Sequence, residues 1–395
     1  MKASYKRIRY LYTLIQCLYW VTAGLMFSFA SVYLLDRGFS NSQIGVILGA
    51  AYALSAVAQP MLAAIFNRSG IRLSSGMACA YVVAAVLTVL VLALPLKGGA
   101  LAVLIVCIFM LQSTLQPSLN SMHRGYALRG VEVNYGFARG MGSAAYSVMC
   151  ALVGRLLYRF SPRMLPALYL MTMLLLIACL LAFRAPSFTA EVPAGERRRR
   201  EPLLRRYPRF VLLLLGVSLL ATVHIFIDSF MLQIVRNLGG GSAQQGVVIA
   251  IAAMTELPAM VLYGRLSKRM GGGRVLCMAA WVWVVKDVLT ALATSPAMLY
   301  AISLLQFASY AFYVPAAVEY VSDALPQQDF LAGQALVGTA FTLGSLAATF
   351  VGGWMLDLLG VRGALSGMQA FSIAGAVLLS VAVLRPQLSV NKKFS

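Results

Sequence analysis

Arg139, Asp228, Glu256, Lys286 and Asp287 stand inside long apolar stretches of the chain, and His224 precedes Asp228 by one helical turn. Segments of about 20 apolar residues, rising about 1.5 Å per residue, cross a bilayer, so these side chains fall at membrane depth. A charge there costs at least about 2.5–3.5 kcal/mol on insertion scales, and such groups therefore pair or line a polar pathway. Both signs are present, so pairing is available. The chemistry open to this set is charged hydrogen bonding to a solute and the exchange of protons. That points to transport.

Glu256 lies among Ala, Met, Leu and Val, with Thr255 and Pro258 beside it. Burial and a neighbouring Lys286 act on its carboxyl in opposite senses, which suits a group that takes up and releases protons. The alternative is a static ion pair with Lys286. Lys286 and Asp287 are adjacent, about 100° apart around a helix, and need separate partners. The expected arrangement pairs Lys286 with Glu256 and leaves Asp287 to a hydroxyl, water or backbone group, in a structural or proton-coupling role. His224 and Asp228, four residues apart, share a helix face and form a second titratable pair or a simple hydrogen bond. Glu319 falls near the end of its segment, as a gate or interfacial residue.

The elements that must position these residues follow from composition. Of 395 residues 61% are hydrophobic and 11% charged, with a mean hydropathy of +0.82; soluble domains run at about 45–50% apolar and about 25% charged. The apolar runs are long and continuous, which excludes a β-barrel. Spans are expected at 9–35, 42–66, 73–95, 99–122, 133–157, 162–184, 210–235, 243–266, 274–295, 297–321, 330–356 and 363–384. The net charge of +20 is asymmetric across them. About 23 Lys and Arg fall on the side of the termini and about 7 on the other, which places both termini in the cytoplasm. The charge thus reports topology, with no nucleic-acid partner expected. The six cysteines all lie within spans and lack metal-ligand spacing. No metal, cofactor, nucleotide-binding glycine pattern or enzyme constellation is expected.

Residues 185–209, with four prolines in the surrounding stretch and the run Arg197–Arg200, read as a basic cytoplasmic linker between halves 1–184 and 210–395. The halves repeat. Gly45-Val46 and Gly246-Val247 open the second helix of each, Gly70 and Gly271 follow at the same offset, and Gly142-Ser143 and Gly344-Ser345 recur in the fifth. A constant offset of about 200 residues marks parallel repeats, with the solute site at their interface near the bilayer midplane.

Several stretches resemble a known family. "YLLDRGFSNSQIG" and "AQPMLAAIFNRSGIR" look like the first loop, second helix and following loop of major facilitator superfamily transporters. "YGFARGMGSAAY" is similar to the fifth-helix sugar-binding segment of the lactose permease-like branch of sugar:proton symporters, which has nucleoside-transporter relatives. The resemblance implies that Arg139 binds substrate and that Tyr146 is the aromatic on which a sugar ring stacks. Tyr146 lies two turns on, so it shares a face with Arg139, and a guanidinium offers a rigid fork of donors. "MTELPAM" resembles the eighth-helix segment whose glutamate, Glu256 here, contacts substrate and the proton site; Lys286 falls where the family carries an arginine, and Asp228 near a seventh-helix aspartate. The chain departs from the family where the tenth helix reads "LLQFASYAFYVP" without the His/Glu pair, at Asn120 or Ser121 in place of a glutamate, at Phe341 in place of a lysine, and at Asn67 in place of an acid.

The expected fold is an all-α membrane protein of twelve transmembrane helices in two pseudo-symmetric six-helix bundles. The expected function is proton-coupled symport of a small polar solute across the cytoplasmic membrane, by a chain acting as a monomer. Arg139, Tyr146, Asn120, Glu256 and Trp20 are the expected substrate residues, and Glu256, Asp228, Lys286, Asp287 and His224 the proton-coupling ones. Proton-driven efflux of drugs or metabolites, an uncoupled uniporter and a non-transporting receptor are the rivals. Arg139 has no acidic partner in its own half, which keeps an anionic substrate open.

Overall fold

The computed structural model describes residues 2–69, 71–127, 134–183 and 203–384, which are helical in every long segment and contain no strand. Hydrocarbon dictates this. With no water available, each backbone N–H and C=O must be satisfied within its own segment, as a helix does and an open sheet edge does not. The N-terminal half runs α1 (Lys2–Asp36), α2 (Asn41–Ser69), α3 (Leu73–Ala93), α4 (Gly98–Thr114, continued after Leu115 as Gln116–Ala127), α5 (Tyr135–Arg159) and α6 (Leu165–Ala182). The C-terminal half runs α7 (Pro208–Ser229, continued as Met231–Asn237), α8 (Ser242–Met270), α9 (Gly272–Leu292) and α10 (Pro296–Ser303, a 3-10 turn over Leu304–Phe307, then Tyr310–Ala324).

The last helical stretch, Gln327–Leu384, is 58 residues long and is two helices. Gly360 divides them at φ 67, ψ 179, a left-handed backbone that a side chain disfavours. We label the arms α11 (327–359) and α12 (361–384). Both flank α7: Gly344 packs against Ser218 and Gly375 against Gly216, so the chain doubles back at Gly360. Eleven helical stretches among the described residues are long and apolar enough to cross a membrane, and the last, doubled, gives the twelfth crossing.

The expected spans recur, most of them with longer ends, while α3, α6 and α9 stop two or three residues short. Helix α8 runs past the expected end at 266 and carries Arg265, Lys268 and Arg269 on its final turns. Residues 184–202, most of the expected linker, and Gly70 lie outside the described residues, as does the side chain of Asn67. The linker's final residues are held: Arg206 binds Asp329 through two hydrogen bonds of 2.8 Å, and Tyr207 Oη donates to the same carboxylate at 3.1 Å.

The repeat appears as matched packing. Gly142 lets α5 lie on Gln16 and Trp20 of α1, as Gly344 lets α11 lie on α7. Across the halves, Gly45 on α2 approaches Gly353 on α11, and Gly246 on α8 approaches Gly154 on α5. These contacts lie at the distal end, opposite the end where α1 begins. There Asp357 of α11 caps the N-terminus of α2, accepting from the Asn41 and Ser42 amides at 3.2 and 2.7 Å and from Asn41 Nδ2 at 2.8 Å. A carboxylate there meets both unpaired N–H groups and the positive end of the helix dipole. Gln233 Nε2 donates to Asn41 Oδ1 at 3.0 Å, and Gln245 Nε2 to the Ser28 carbonyl at 2.7 Å. Hydrogen bonds between the halves, among the described residues, lie at mid-membrane or distal to it.

A Cβ on Gly246 would run into the Cys150 carbonyl, whereas one on Gly338 would meet open space. Overpacking of this kind costs about 1–3 kcal/mol. Gly246→Ala is expected to shift the distal ends of α5 and α8 toward separation by about 5- to 150-fold in population, read as longer distances between spin labels on the two helices, with Gly338→Ala unchanged.

Candidate functional site

Arg139, Asp228, Glu256 and Lys286 converge on one cavity of about 300 Å³ between the halves, lined by Trp20, Arg139 and Tyr146 from one side and by His224, Asp228, Glu256, Lys286 and Gln306 from the other. That volume sits at the lower end of the range for small-ligand pockets, about 300 to 1,000 Å³.

Arg139 is placed by α5, whose Asn134 caps the helix by accepting from the Phe137 amide at 2.9 Å. The guanidinium carbon stands 3.9 Å from the centre of the Trp20 ring. This cation–π contact fixes the fork and takes up the ring face. Trp20, an expected substrate residue, lines the cavity and also serves as the platform for Arg139. Nη1 of Arg139 donates to Ser143 Oγ at 2.6 Å, and Ser143 Oγ reaches Glu256 Oε2 at 3.5 Å, the outer limit of a hydrogen bond. Arg139 therefore does meet an acid, from the opposite half, through one hydroxyl. Tyr146 faces the same cavity and shares a hydrogen bond of 2.7 Å with Ser28 Oγ.

On the C-terminal side, Nε2 of His224 lies 3.5 Å from Asp228 Oδ2, as the spacing of four residues predicts. His224 is fixed by ring contacts, stacked on Tyr310 at 4.6 Å and edge-on to Trp283 at 5.0 Å between centroids. Lys286 is buried and donates from Nζ to Gln306 Oε1 at 2.6 Å. Lys286 makes no ion pair with Glu256; its ammonium is taken up by the Gln306 amide oxygen instead.

Two expected site residues lie elsewhere. Asn120 is not among the lining residues; Gln116, one turn earlier on the same face of α4, is, so the lining stops a turn short of Asn120. Asp287 is 2% exposed and does not line the cavity. It turns away behind Lys286, as adjacent helical positions must, into the packing of α9 against Ser372 of α12, and neither carboxyl oxygen has a hydrogen bond of good geometry. Glu319 is also outside the cavity, held by Tyr263 and Ser267 of α8. Sequence reasoning missed Ser143, Gln306 and Tyr310. The available signals were a hydroxyl four residues after Arg139 and a glutamine inside an apolar span.

A buried carboxyl without partners is costly in its charged form. Asp287→Asn removes that charge in a site the solute does not reach, so the purified variant is expected to melt at or above the wild-type temperature. A fall of several degrees would show that Asp287 has an ionic partner.

Residues 10–365 match the MFS_1-like family. A maltose permease of Geobacillus stearothermophilus is 27% identical over 381 residues, covering 94% of this chain and 93% of its own. Sugar efflux transporter B of Salmonella typhimurium is 26% identical over 263 residues, 65% of this chain and 62% of its own. The crystal structure of a mutant of the nucleoside transporter NupG superposes with a TM-score of 0.81 over 95% of this chain and 99% of that one, at 12% identity, a likeness of fold alone. An all-helical chain of twelve crossings, with charged residues from both halves facing one central cavity, is thus a multi-pass membrane transporter and belongs to the MFS_1-like family of the major facilitator superfamily.

Proposed function

We propose that the protein is a proton-coupled symporter of a small polar solute, a saccharide, glycoside or nucleoside. It works as a monomer in the cytoplasmic membrane by rocking of two bundles, about 1–184 and 210–395, with both termini in the cytoplasm. With the distal contacts made, the conformation described is the one facing inward. The observation that carries this reading is the meeting of Arg139 and Glu256, from opposite halves, through Ser143 in a cavity sealed on its distal side.

The link between solute and proton is a competition for donors. While Glu256 is ionised, Arg139 and Ser143 are committed to it. Once Glu256 is protonated, the guanidinium fork is released to solute hydroxyls, because hydrogen bonds to a neutral carboxyl lose their charge assistance. Arg139, Tyr146 and Glu256 hold the solute. Asp228 with His224, and Lys286 through Gln306, complete the charge balance on the C-terminal side.

The lining interleaves hydroxyls and amides such as Ser55, Gln59, Gln116 and Thr290 with the rings of Phe27 and Tyr52. Such a wall suits a polyol with apolar faces, and it disfavours the drug exporter, whose key contacts would be apolar. The relatives' names, maltose permease and sugar efflux transporter, point the same way on solute class while differing on direction.

External pH is the test, in lightly buffered, de-energised cells given maltose, other glycosides and nucleosides in turn. Alkalinisation specific to one solute is expected, abolished in Glu256→Gln. Arg139→Lys, which keeps the charge but loses the planar fork, is expected to weaken solute affinity at least about tenfold. Entry of the solute without any pH change would make the protein a uniporter, acidification an antiporter, and no entry an exporter.

A further inference from the structure

Two cations line the cavity, and their surroundings differ. Arg139 reaches an acid through Ser143. Lys286 reaches none: it is 7% exposed and makes no ion pair among the described residues. Its Nζ donates to Gln306 Oε1 at 2.6 Å, and that acceptor is neutral. An ammonium carries three donors, so two are left for whatever fills the cavity. A buried cation held by a single amide oxygen is costly, and an anion brought in by the solute relieves that cost.

A count of the lining charges points the same way. Arg139 and Lys286 balance Asp228 and Glu256 while both acids are ionised; Asp287 does not line the cavity and stays outside the count. When Glu256 takes up a proton, as in the cycle proposed above, two cations face one anion. One carboxylate on the solute restores neutrality, and the loaded cavity then encloses no net charge at bilayer depth. A phosphate ester, at nearly two charges, would exceed the single cation in surplus.

We propose that the solute is acidic, a small glycoside bearing one carboxylate such as a uronide, and that Lys286 is the specificity residue that binds that carboxylate. This rests on the reading of the cavity as a saccharide site. The charge count draws on proton coupling, whereas the binding itself does not.

Methyl glucoside and methyl glucuronide are the matched probes, differing only by a hydroxymethyl group in one and a carboxylate in the other. Each is titrated calorimetrically, at fixed salt and about pH 6, where a free carboxylate is ionised, into purified wild-type and Lys286→Met proteins in nanodiscs. The wild type is expected to bind the glucuronide at least about tenfold more tightly, the gain from a hydrogen bond to a charged group. In monodisperse Lys286→Met, which keeps the length of the side chain without its donors, that preference is expected to disappear. A wild type that binds the two equally, or the glucoside better, overturns the proposal without recourse to any variant and leaves the saccharide reading standing. A preference that survives in Lys286→Met gives the carboxylate to Arg139 and overturns the role of Lys286. Binding of neither probe removes this proposal and the saccharide reading together. A glucuronide preference that depends on Lys286, in a protein whose vesicles take up glucuronide without protons, supports the proposal and removes the proton-coupled reading alone.

Discussion

The cost of a bare charge in hydrocarbon organises this molecule. Arg139, Asp228, Glu256 and Lys286 stand at bilayer depth and line one cavity that the two halves enclose. On the N-terminal side the cation is spread over the Trp20 face and one serine; on the C-terminal side Lys286 is held by an amide and Asp228 by a histidine. Glu256 is the point at which the two sets meet. In the proposed cycle, a group shared between two rocking halves changes its partners whenever they move, and that change is what would couple a proton to a solute.

The close packing that closes the distal end is built from the opposite material. Glycines let α2 meet α11 and α5 meet α8 backbone to backbone, and Asp357 supplies the one charged contact, on a helix terminus. Among the described residues these contacts carry no buried ion pair, so they can separate without stranding a charge in lipid. The expensive interactions sit at the pivot and the cheap ones at the gate.

Much of this is legible in the sequence, for reasons of period and burial. Spans follow from apolar length, and twelve crossings from their number. The sharing of a face by Arg139 and Tyr146, and by His224 and Asp228, follows from helical spacing. The partner of Lys286 was not legible. Two opposite charges in neighbouring spans suggest direct pairing, whereas the structure gives Lys286 to the Gln306 amide of a third helix, whose local 3-10 turn leaves no mark in the pattern. The contact of Trp20 was not legible for a related reason: sequence shows an aromatic near a sugar-type site but not that a guanidinium lies on its face. For Asn120, the correct helix and face were identified, and only the depth of the cavity along α4 was not.

The central claim is that Arg139 and Glu256 bind one solute between the halves. The most direct measurement is a structure of the protein in nanodiscs at mildly acidic pH, with saturating solute chosen from the uptake panel. The account predicts density for the solute against the Arg139 fork and the Glu256 carboxyl at once, with the Ser143 bridge to Glu256 broken. Solute density elsewhere, with Arg139, Ser143 and Glu256 still joined, would contradict it.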